Sequence, residues 1–184
     1  MIVTVAALGT ELLFAPRPRL RVGMGVQAGD RLGAWLNGHE PEGALVIGFS
    51  GATRAGLGAG TVLLAAEILG DGSDPIPLDP VLVAKAQEAL PDAAVGAVAT
   101  VARPADPVEK ARLGVDALAV DMESAHLARE FADRGMPFLI VRIVLDELWE
   151  DVSGFHIRWA GRALACSRRL GQAAAALRPV LEGA

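Results

Sequence analysis

The segments Ala119-Val-Asp-Met-Glu-Ser-Ala125 and Val141-Arg-Ile-Val-Leu-Asp-Glu147 follow one pattern, in which the apolar residues of a predicted strand are followed by carboxylates. An unpaired carboxylate at the end of a buried strand costs desolvation free energy, because the charged form is disfavoured there. In open α/β sheets the carboxyl ends of the strands are also where ligands bind. We therefore take Glu123 and Asp146 as candidate site residues.

The rest of the chain surrounds these segments with alternating strands and helices. Strands that alternate with helices through short connections predict a three-layer α/β/α sandwich with a mixed, largely parallel central sheet. No linker divides the chain, so we expect a single domain over residues 1–184. Asp79-Pro80 and Asp106-Pro107 are typical helix starts. The predicted strands are 1–8, 44–49, 61–66, 94–101, 116–120 and 138–144, and the longer predicted helices are 26–36, 80–90, 121–134 and 155–181.

The composition limits the kinds of partner that this chain can have. Seventeen basic and 22 acidic residues give a formal charge of −5, which disfavours nucleic-acid binding because phosphate neutralisation supplies most of that affinity. Aromatic residues make up only 4% and tyrosine is absent, so a base-stacking platform for single strands is not expected. The composition favours a small-molecule ligand.

Several sequence features bear on localisation. The longest apolar run, at 93–102, has about ten residues, whereas a membrane-spanning helix needs roughly 20. The chain starts with the strand-like Met1-Ile-Val without a basic leader, so we expect no secretory signal. A single cysteine, Cys166, fits a reducing compartment. We expect a cytoplasmic protein with no membrane span.

The common nucleotide, metal and nucleophile motifs are weak or missing. Gly56-Leu-Gly-Ala-Gly60 precedes a strand and not a helix, so it indicates a tight turn and not a phosphate loop. Glu123-Ser-Ala-His126 has the Glu-x-x-His spacing of di-iron bundles, but only one copy is present. The Gly-x-Ser-x-Gly elbow of serine hydrolases is missing. We therefore predict no metal site and no cofactor.

Three carboxylates remain at predicted strand ends, since Glu11 follows the first strand as Glu123 and Asp146 follow later ones. Each of them alone could be a helix cap or a surface acid. Together they suit the cleavage of a C–N or C–O bond at an anomeric carbon, which passes through an oxocarbenium-like state. That reaction needs an acid for the leaving group and a carboxylate to hold water or a sugar hydroxyl.

At these positions the chain resembles the purine nucleoside phosphorylase / methylthioadenosine nucleosidase superfamily. Val120-Asp-Met-Glu-Ser-Ala125 is similar to its Val-(Glu/Asp)-Met-Glu-(Ala/Ser) signature, and Val141–Asp146 resembles its Val-Arg-x-x-Ser-Asp motif. The segment from Lys110 to Glu123 is especially close to the hopanoid-associated phosphorylase branch. Three further similarities are weaker. Gly48-Phe-Ser-Gly-Ala52 resembles a glycine loop of the family, and Gly23-Met-Gly25 resembles its Ser-Gly-x-Gly turn. The first strand followed by Glu11 resembles the Gly-Ala-Met-x-x-Glu opening of the nucleosidase branch.

The resemblance implies a role for each of these residues. Asp146 would protonate N7 of a purine or hydrogen-bond to it, Glu123 would accept hydrogen bonds from the ribose hydroxyls, and Glu11 would position and activate the attacking water. Met122 would pack under the sugar. Asp146 must keep a proton near neutrality, which requires the raised pKa that a dry pocket supplies. The further substrate-binding positions implied are Phe49, Ser50, Gly25 and Val101.

Three departures from the family pattern affect the predicted pocket. Leu145 stands where the family has a serine, so the hydrogen bond that would orient Asp146 is missing. Phe49 replaces a small polar residue of the glycine loop, and Ala99–Val101 offers small aliphatic side chains where the nucleosidases place an aromatic residue under the base. The departures leave room for a relative that binds nucleosides without cleaving them.

The identity of the nucleophile separates hydrolysis from phosphorolysis. Phosphate needs a cationic cradle, and the candidates are Arg17, Arg19, Arg21 and Arg54. For the first three, a charged, solvated strand edge is the favoured interpretation. Because Glu11 would repel phosphate, we favour a purine nucleoside N-ribosyl hydrolase, with a phosphorylase that uses inorganic phosphate as co-substrate, or a non-catalytic nucleoside-binding protein, as alternatives. We expect a homodimer or a higher homo-oligomer.

Overall fold

The computed structural model describes residues 1–70, 72–150 and 157–184. Within these ranges the chain forms eight strands and five helices. The strands are β1 (Ile2–Ala6), β2 (Arg19–Arg21), β3 (Gly43–Ala52), β4 (Val62–Leu69), β5 (Ile76–Pro77), β6 (Ala94–Thr100), β7 (Ala119–Asp121) and β8 (Phe138–Asp146). The helices are α1 (Gln27–Leu36), α2 (Pro80–Ala89), α3 (Pro107–Leu113), α4 (Ser124–Ala132) and α5 (Ile157–Glu182).

The described strands form one mixed sheet in which parallel pairing dominates. β2, β1, β3 and β8 are parallel neighbours, as are β4, β6 and β7, whereas β7 pairs with β3, and β4 with β8 and β5, in the antiparallel sense. Helix α5 packs on β8 and β3, and α1 packs against α4, which contacts β4 and β6. The predicted sandwich with helices on both sides of a mixed sheet is therefore confirmed.

The sheet also closes on itself, which the sequence pattern did not predict. β3 pairs with both β8 and β7, and the path from β8 through β4 and β6 returns to β7. Apolar patterning shows that a segment is a buried strand, but it does not show which strand lies beside it. The closure places β8 on one side and β7 on the other side of the last residues of β3.

The central strands are buried on both faces, which explains their almost continuous apolar sequences. Every residue of β1 is buried, and Ala44, Leu45, Val46 and Ile47 of β3 have no exposed surface. The predicted strand 44–49 continues to Ala52, because Ser50, Gly51 and Ala52 still pair with β8 or β7. This extension carries β3 into the candidate site.

Helix starts follow the predicted capping chemistry at two places and differ at a third. Asp79 and Asp106 accept backbone N–H groups at the starts of α2 and α3. Helix α4 begins at Ser124 and not at residue 121, because Asp121 completes β7 and accepts the N–H groups of Glu123 and Ser124. The predicted long C-terminal helix begins at Ile157, and residues 155–156 of that prediction lie outside the described residues.

The glycine-rich segment before β4 forms the predicted turn. Gly56 and Gly60 have positive φ angles of 89° and 87°, a conformation that disfavours residues with a side chain. The N–H of Gly60 donates to the carbonyl of Val144 over 2.8 Å, which ties the turn to β8. Among the described helices, none has both the length and the apolar character needed to cross a bilayer.

Candidate active site

A cavity of about 250 Å³ lies where the last residues of β3 meet β7 and β8. Seven of the eight predicted site residues line it, and the eighth, Gly25, donates its N–H to Glu123. The lining contains Glu11, Met122, Glu123, Asp146, Phe49, Ser50 and Val101, together with Lys110 and Asp121. The structure thus brings together residues that are far apart in the sequence.

The carboxylates converge because both neighbours of β3 end at the same point. Gly51 pairs with Asp146 of β8 on one side and with Val120 of β7 on the other. β7 runs antiparallel to β3, so this convergence comes from closure of the sheet and not from a single parallel edge. The backbone N–H of Phe49 donates to the Glu11 carboxylate, so the segment after β1 also lies against this end of β3.

Leu145 occupies an irregularity in the pairing of β3 with β8. Ser50 pairs with Val144 and Gly51 with Asp146, so Leu145 is the extra residue of a β-bulge. Bulges occur next to active sites because they redirect side chains. Leu145 and Asp146, which are consecutive residues, both line the cavity.

Glu11 is buried and held by two backbone donors. Its carboxylate accepts the N–H of Leu8 over 2.7 Å and that of Phe49 over 2.8 Å. Burial raises the pKa of Glu11 to about 7, although these hydrogen bonds and the Arg142 guanidinium act in the opposite direction. With a pKa of about 7, the Glu11 carboxyl can both accept and release a proton near neutral pH.

Glu123 stands at the N-terminal end of α4. Its Oε1 accepts the N–H of Gly25 over 2.9 Å, a contact that joins residues 98 positions apart. Gly25 has a φ of 69°, in the left-handed region that favours glycine. Burial raises the pKa of Glu123, and the nearby Arg142 opposes that shift.

A buried ionic network beneath the cavity was not predicted from the sequence. The Arg142 Nε lies 2.7 Å from Asp121 Oδ2, both side chains are 1% exposed, and Arg142 Nη2 donates to Ser124 Oγ over 2.8 Å. Thr100 donates to Asp121 Oδ1 over 2.9 Å. An arginine in the otherwise apolar strand 138–145 was the signal that could have identified this network.

Lys110 is the second residue that sequence reasoning missed as part of the site. Its side chain is 1% exposed and pairs with Asp146 Oδ2. Burial raises the pKa of Asp146, and the hydrogen bond and charge of Lys110 act against that shift. Leu145 cannot supply the serine hydrogen bond of the family motif, and in this structure the contact to the Asp146 carboxyl comes from Lys110.

The arginines considered for a phosphate cradle do not line this cavity, and Arg21 lies in a second cavity that adjoins it. Arg54 donates to the carbonyls of Gly114 and Val115 over 2.7 and 3.1 Å, and Arg19 donates to Ala15 over 2.6 Å. None of Arg17, Arg19, Arg21 and Arg54 is part of the lining. In the part of the chain that the structure describes, Lys110 is the one cation in the lining, and it is paired with Asp146.

The remaining wall is apolar, and Phe49 is its one aromatic residue among the described positions. Val101, Pro104 and Ala105 form an aliphatic side, which agrees with the small residues noted in the sequence. Residues 1–70, 72–150 and 157–184 contain no group of three His, Cys, Asp or Glu side chains arranged to hold a metal ion.

Comparison with solved structures identifies close relatives of the fold. The S-adenosylhomocysteine nucleosidase of Streptococcus pyogenes, in complex with 5-methylthiotubericidin, has a TM-score of 0.82 at 20% identity, covering 96% of this chain and 94% of that chain. A mutant futalosine hydrolase of Helicobacter pylori has a TM-score of 0.83 at 15% identity, with coverages of 96% and 97%. The 5′-methylthioadenosine/S-adenosyl homocysteine nucleosidase of Campylobacter jejuni has a TM-score of 0.81 at 16% identity, with coverages of 100% and 99%.

At such identities these structures establish the fold. A comparison with curated proteins gives no match. The family model described as "Phosphorylase superfamily" matches residues 19–171, which is most of the chain and includes both carboxylate-bearing segments. The chain therefore belongs to the phosphorylase superfamily.

Proposed function

We propose that this protein is a purine nucleoside N-ribosyl hydrolase. The observation that carries the proposal is a single cavity lined by Glu11, Glu123 and Asp146, each with a pKa raised by burial. Glycosidic cleavage needs one protonated acid and one ionised carboxylate close to the same sugar. The structural relatives, whose names describe nucleosidases and a futalosine hydrolase, support this class of reaction.

In the proposed reaction the leaving base takes a proton from Asp146. The O–H bond of Asp146 breaks, an N7–H bond forms, and the electron pair of the C1′–N9 bond moves into the purine. Burial supports this role because the raised pKa of Asp146 increases the fraction of carboxyl that carries a proton.

The sugar is attacked by water that Glu11 deprotonates. A C1′–O bond forms as the water O–H bond breaks, and the proton passes to Glu11. A general base works best with a pKa near the working pH, and the pKa of Glu11 is about 7. Glu123 would accept hydrogen bonds from the ribose hydroxyls, and its negative charge would stabilise the positive charge developing on the sugar.

Hydrolysis is favoured over phosphorolysis by the charge of the cavity. Four carboxylates line it, at Glu11, Asp121, Glu123 and Asp146, and phosphate would have to approach Glu11. The observation that favours phosphate is a second cavity of about 330 Å³, which shares Ala7, Leu8 and Met24 with the first and contains Arg21 and Arg31. Arg31 is already bound to the carbonyl of Val22 and to Gln27.

The nucleophile can be identified directly from the sugar product. The protein is incubated with adenosine, 5′-methylthioadenosine, S-adenosylhomocysteine and futalosine, each with and without inorganic phosphate, and the base and sugar products are identified by mass spectrometry. A hydrolase releases base and free sugar at a rate independent of phosphate. A sugar 1-phosphate formed only with phosphate would establish the phosphorylase, and saturable binding without base release would establish a binding protein.

A further inference from the structure

Lys110 is an unusual residue in this chain. The sequence contains only two lysines, of which Lys85 is exposed on α2 and Lys110 is 1% exposed on α3. An isolated buried ammonium is strongly disfavoured, so a buried lysine persists only when its charge is compensated. Helix α3, which is capped by Asp106, carries Lys110 into the lining of the cavity.

All three N–H bonds of the Lys110 ammonium have an acceptor. Nζ donates to Asp146 Oδ2, to the carbonyl of Glu147 over 3.1 Å and to the carbonyl of Glu150 over 2.7 Å. An ammonium has three donors and no acceptor, so this set is complete. Lys110 has no donor left for a ligand in the cavity, and any influence on a reaction must pass through Asp146.

We propose that Lys110 is the positioning residue of the acid: its ammonium holds Oδ2 of Asp146 and stabilises the carboxylate that remains after the proton has moved to the leaving base. This inference rests on the proposed function, because it assigns Asp146 the role of acid. Because Lys110 occupies Oδ2, Oδ1 is the oxygen that addresses the base. Lys110 keeps all its protons throughout, and the proton that is transferred belongs to Asp146.

The surroundings of Asp146 explain why a cation is needed there. Transfer of the proton creates a carboxylate in an apolar cavity whose other ionisable lining residues, Lys110 aside, are acids. Outside the lining, the charge of Glu150 also raises the pKa of Asp146, and the Glu150 carboxylate itself pairs with Arg162. Among the residues that the structure describes, the charged groups around Asp146 are Lys110 on α3, Glu147 and Glu150 after β8, Arg162 on α5, Glu11, Asp121 and Glu123 in the lining, and Arg142 beneath it.

A purely structural role is the competing explanation, since Lys110 also ties α3 to the turn at 147–150. The two roles differ in what happens to Asp146. A tie that acts only through the carbonyls of Glu147 and Glu150 affects folding and leaves the titration of Asp146 unchanged, whereas a charge that acts on Asp146 shifts that titration. Lys110→Gln removes the charge and keeps N–H donors for the carbonyls, and Lys85→Gln is the matched control at the exposed lysine.

The first test needs no substrate. The protein is labelled with carboxyl ¹³C-aspartate, the Asp146 signal is assigned with Asp146→Asn, and its titration is followed by NMR. Loss of Lys110 in the Gln variant is expected to raise the pKa of Asp146 by about one pH unit or more, and Lys85→Gln should leave it unchanged. An unchanged Asp146 titration in folded Lys110→Gln would overturn the proposal.

A labelled wild-type protein keeps the proposal testable if Lys110→Gln does not fold. With ¹⁵N-lysine, the chain gives only two side-chain Nζ signals. The chemical shift of the Lys110 Nζ signal is expected to change with pH as Asp146 titrates. This pH-dependent change should be missing in Asp146→Asn, and the Lys85 signal should not show it in either protein. A Lys110 signal indifferent to Asp146 would contradict the assignment.

The kinetic test uses a nucleoside that the wild-type protein cleaves. Lys110→Gln is expected to lower kcat about tenfold or more with little change in KM, because its effect falls on the chemical step. In the Asp146→Asn background the same change should cost less than about twofold, since the two residues act as a unit. Equal losses in both backgrounds would indicate a structural role. If the wild-type protein releases no base, the proposed function fails and with it the acid that Lys110 would position, and the NMR titrations then show only whether the Lys110 charge acts on Asp146.

Discussion

At the scale of single residues, two opposing demands meet at Asp146. The proposed acid must carry a proton near neutrality, and burial raises its pKa accordingly. The same residue must become a carboxylate during the reaction, and the Lys110 ammonium opposes the shift caused by burial. Because burial favours the protonated form of Asp146 and Lys110 favours its carboxylate, both forms that the proposed reaction needs are accessible to this residue.

Asp146→Asn tests the role of this acid. Asparagine has nearly the same shape but cannot donate a carboxyl proton, so kcat for base release is expected to fall by about 10²–10⁴-fold. The matched control is Asp133→Asn at the exposed C-terminal end of α4, which should retain wild-type kcat. The measurement is steady-state release of purine, with circular dichroism to verify folding. Retained turnover in Asp146→Asn would remove this residue from the acid role.

At the scale of secondary-structure elements, the sequence revealed the buried strands and the carboxylates at their ends. It did not reveal Lys110 or Arg142 as site residues, because their roles depend on which elements become neighbours. Lys110 of α3 meets Asp146, and Arg142 of β8 meets Asp121 of β7, only because the fold makes these elements neighbours. In the sequence, the only indication of these roles was a charged residue within or beside an apolar segment. Their partners, Asp146 and Asp121, are identified by the structure.

A side chain at Gly51, between β8 and β7, would crowd the ion pair of Asp146 and Lys110. A Cβ there would lie 2.8 Å from Asp146 Oδ2 and 3.0 Å from Lys110 Cε. Gly51→Ala is therefore expected to displace this ion pair, to destabilise the protein by about 1–3 kcal/mol and to reduce base release more than tenfold. Urea unfolding and steady-state kinetics measure the two effects.

Gly161→Ala is the control for that substitution. A Cβ at Gly161, on the exposed side of α5, would meet no atom within 4 Å. Because alanine favours the helix, this change is expected to stabilise the protein by about 0.5–1 kcal/mol and to leave activity intact. Equal behaviour of the two alanine variants would show that crowding at Gly51 is unimportant.

Substitutions in the ionic network of Arg142 and Asp121 are expected to have large and non-additive effects on the free energy of unfolding. Arg142→Met leaves Asp121 buried without its cation and should cost about 3–5 kcal/mol in the free energy of unfolding. Arg129→Met on the exposed face of α4 should change that quantity by less than about 0.5 kcal/mol. In urea unfolding, Asp121→Asn combined with Arg142→Met should cost less than the sum of the single changes, and strict additivity would refute the coupling.

At the scale of the whole molecule, burial of these acids makes folding stability depend on pH. The pKa of Glu11 rises from 4.5 to about 7 in the folded protein, so between these values the folded state holds a proton that the unfolded state has released. The stability associated with protonated Glu11 is therefore complete below about pH 4.5 and is lost as the pH rises through about 7. The expected loss is about 3 kcal/mol, because a pKa difference of one between the folded and unfolded states corresponds to about 1.4 kcal/mol.

Glu11→Gln isolates this contribution, because glutamine does not ionise while Glu123 and Asp146 continue to titrate in both proteins. The free energy of unfolding is measured in urea at about pH 5 and about pH 8, where the Glu11 contribution is mostly present and mostly lost. Between these values the wild-type protein should lose about 2.5 kcal/mol more than Glu11→Gln, so the relative stability of the variant rises with pH. Parallel pH profiles of the two proteins would show that Glu11 ionises at its ordinary pKa, and this carboxyl could then not serve as a base tuned to neutrality by burial.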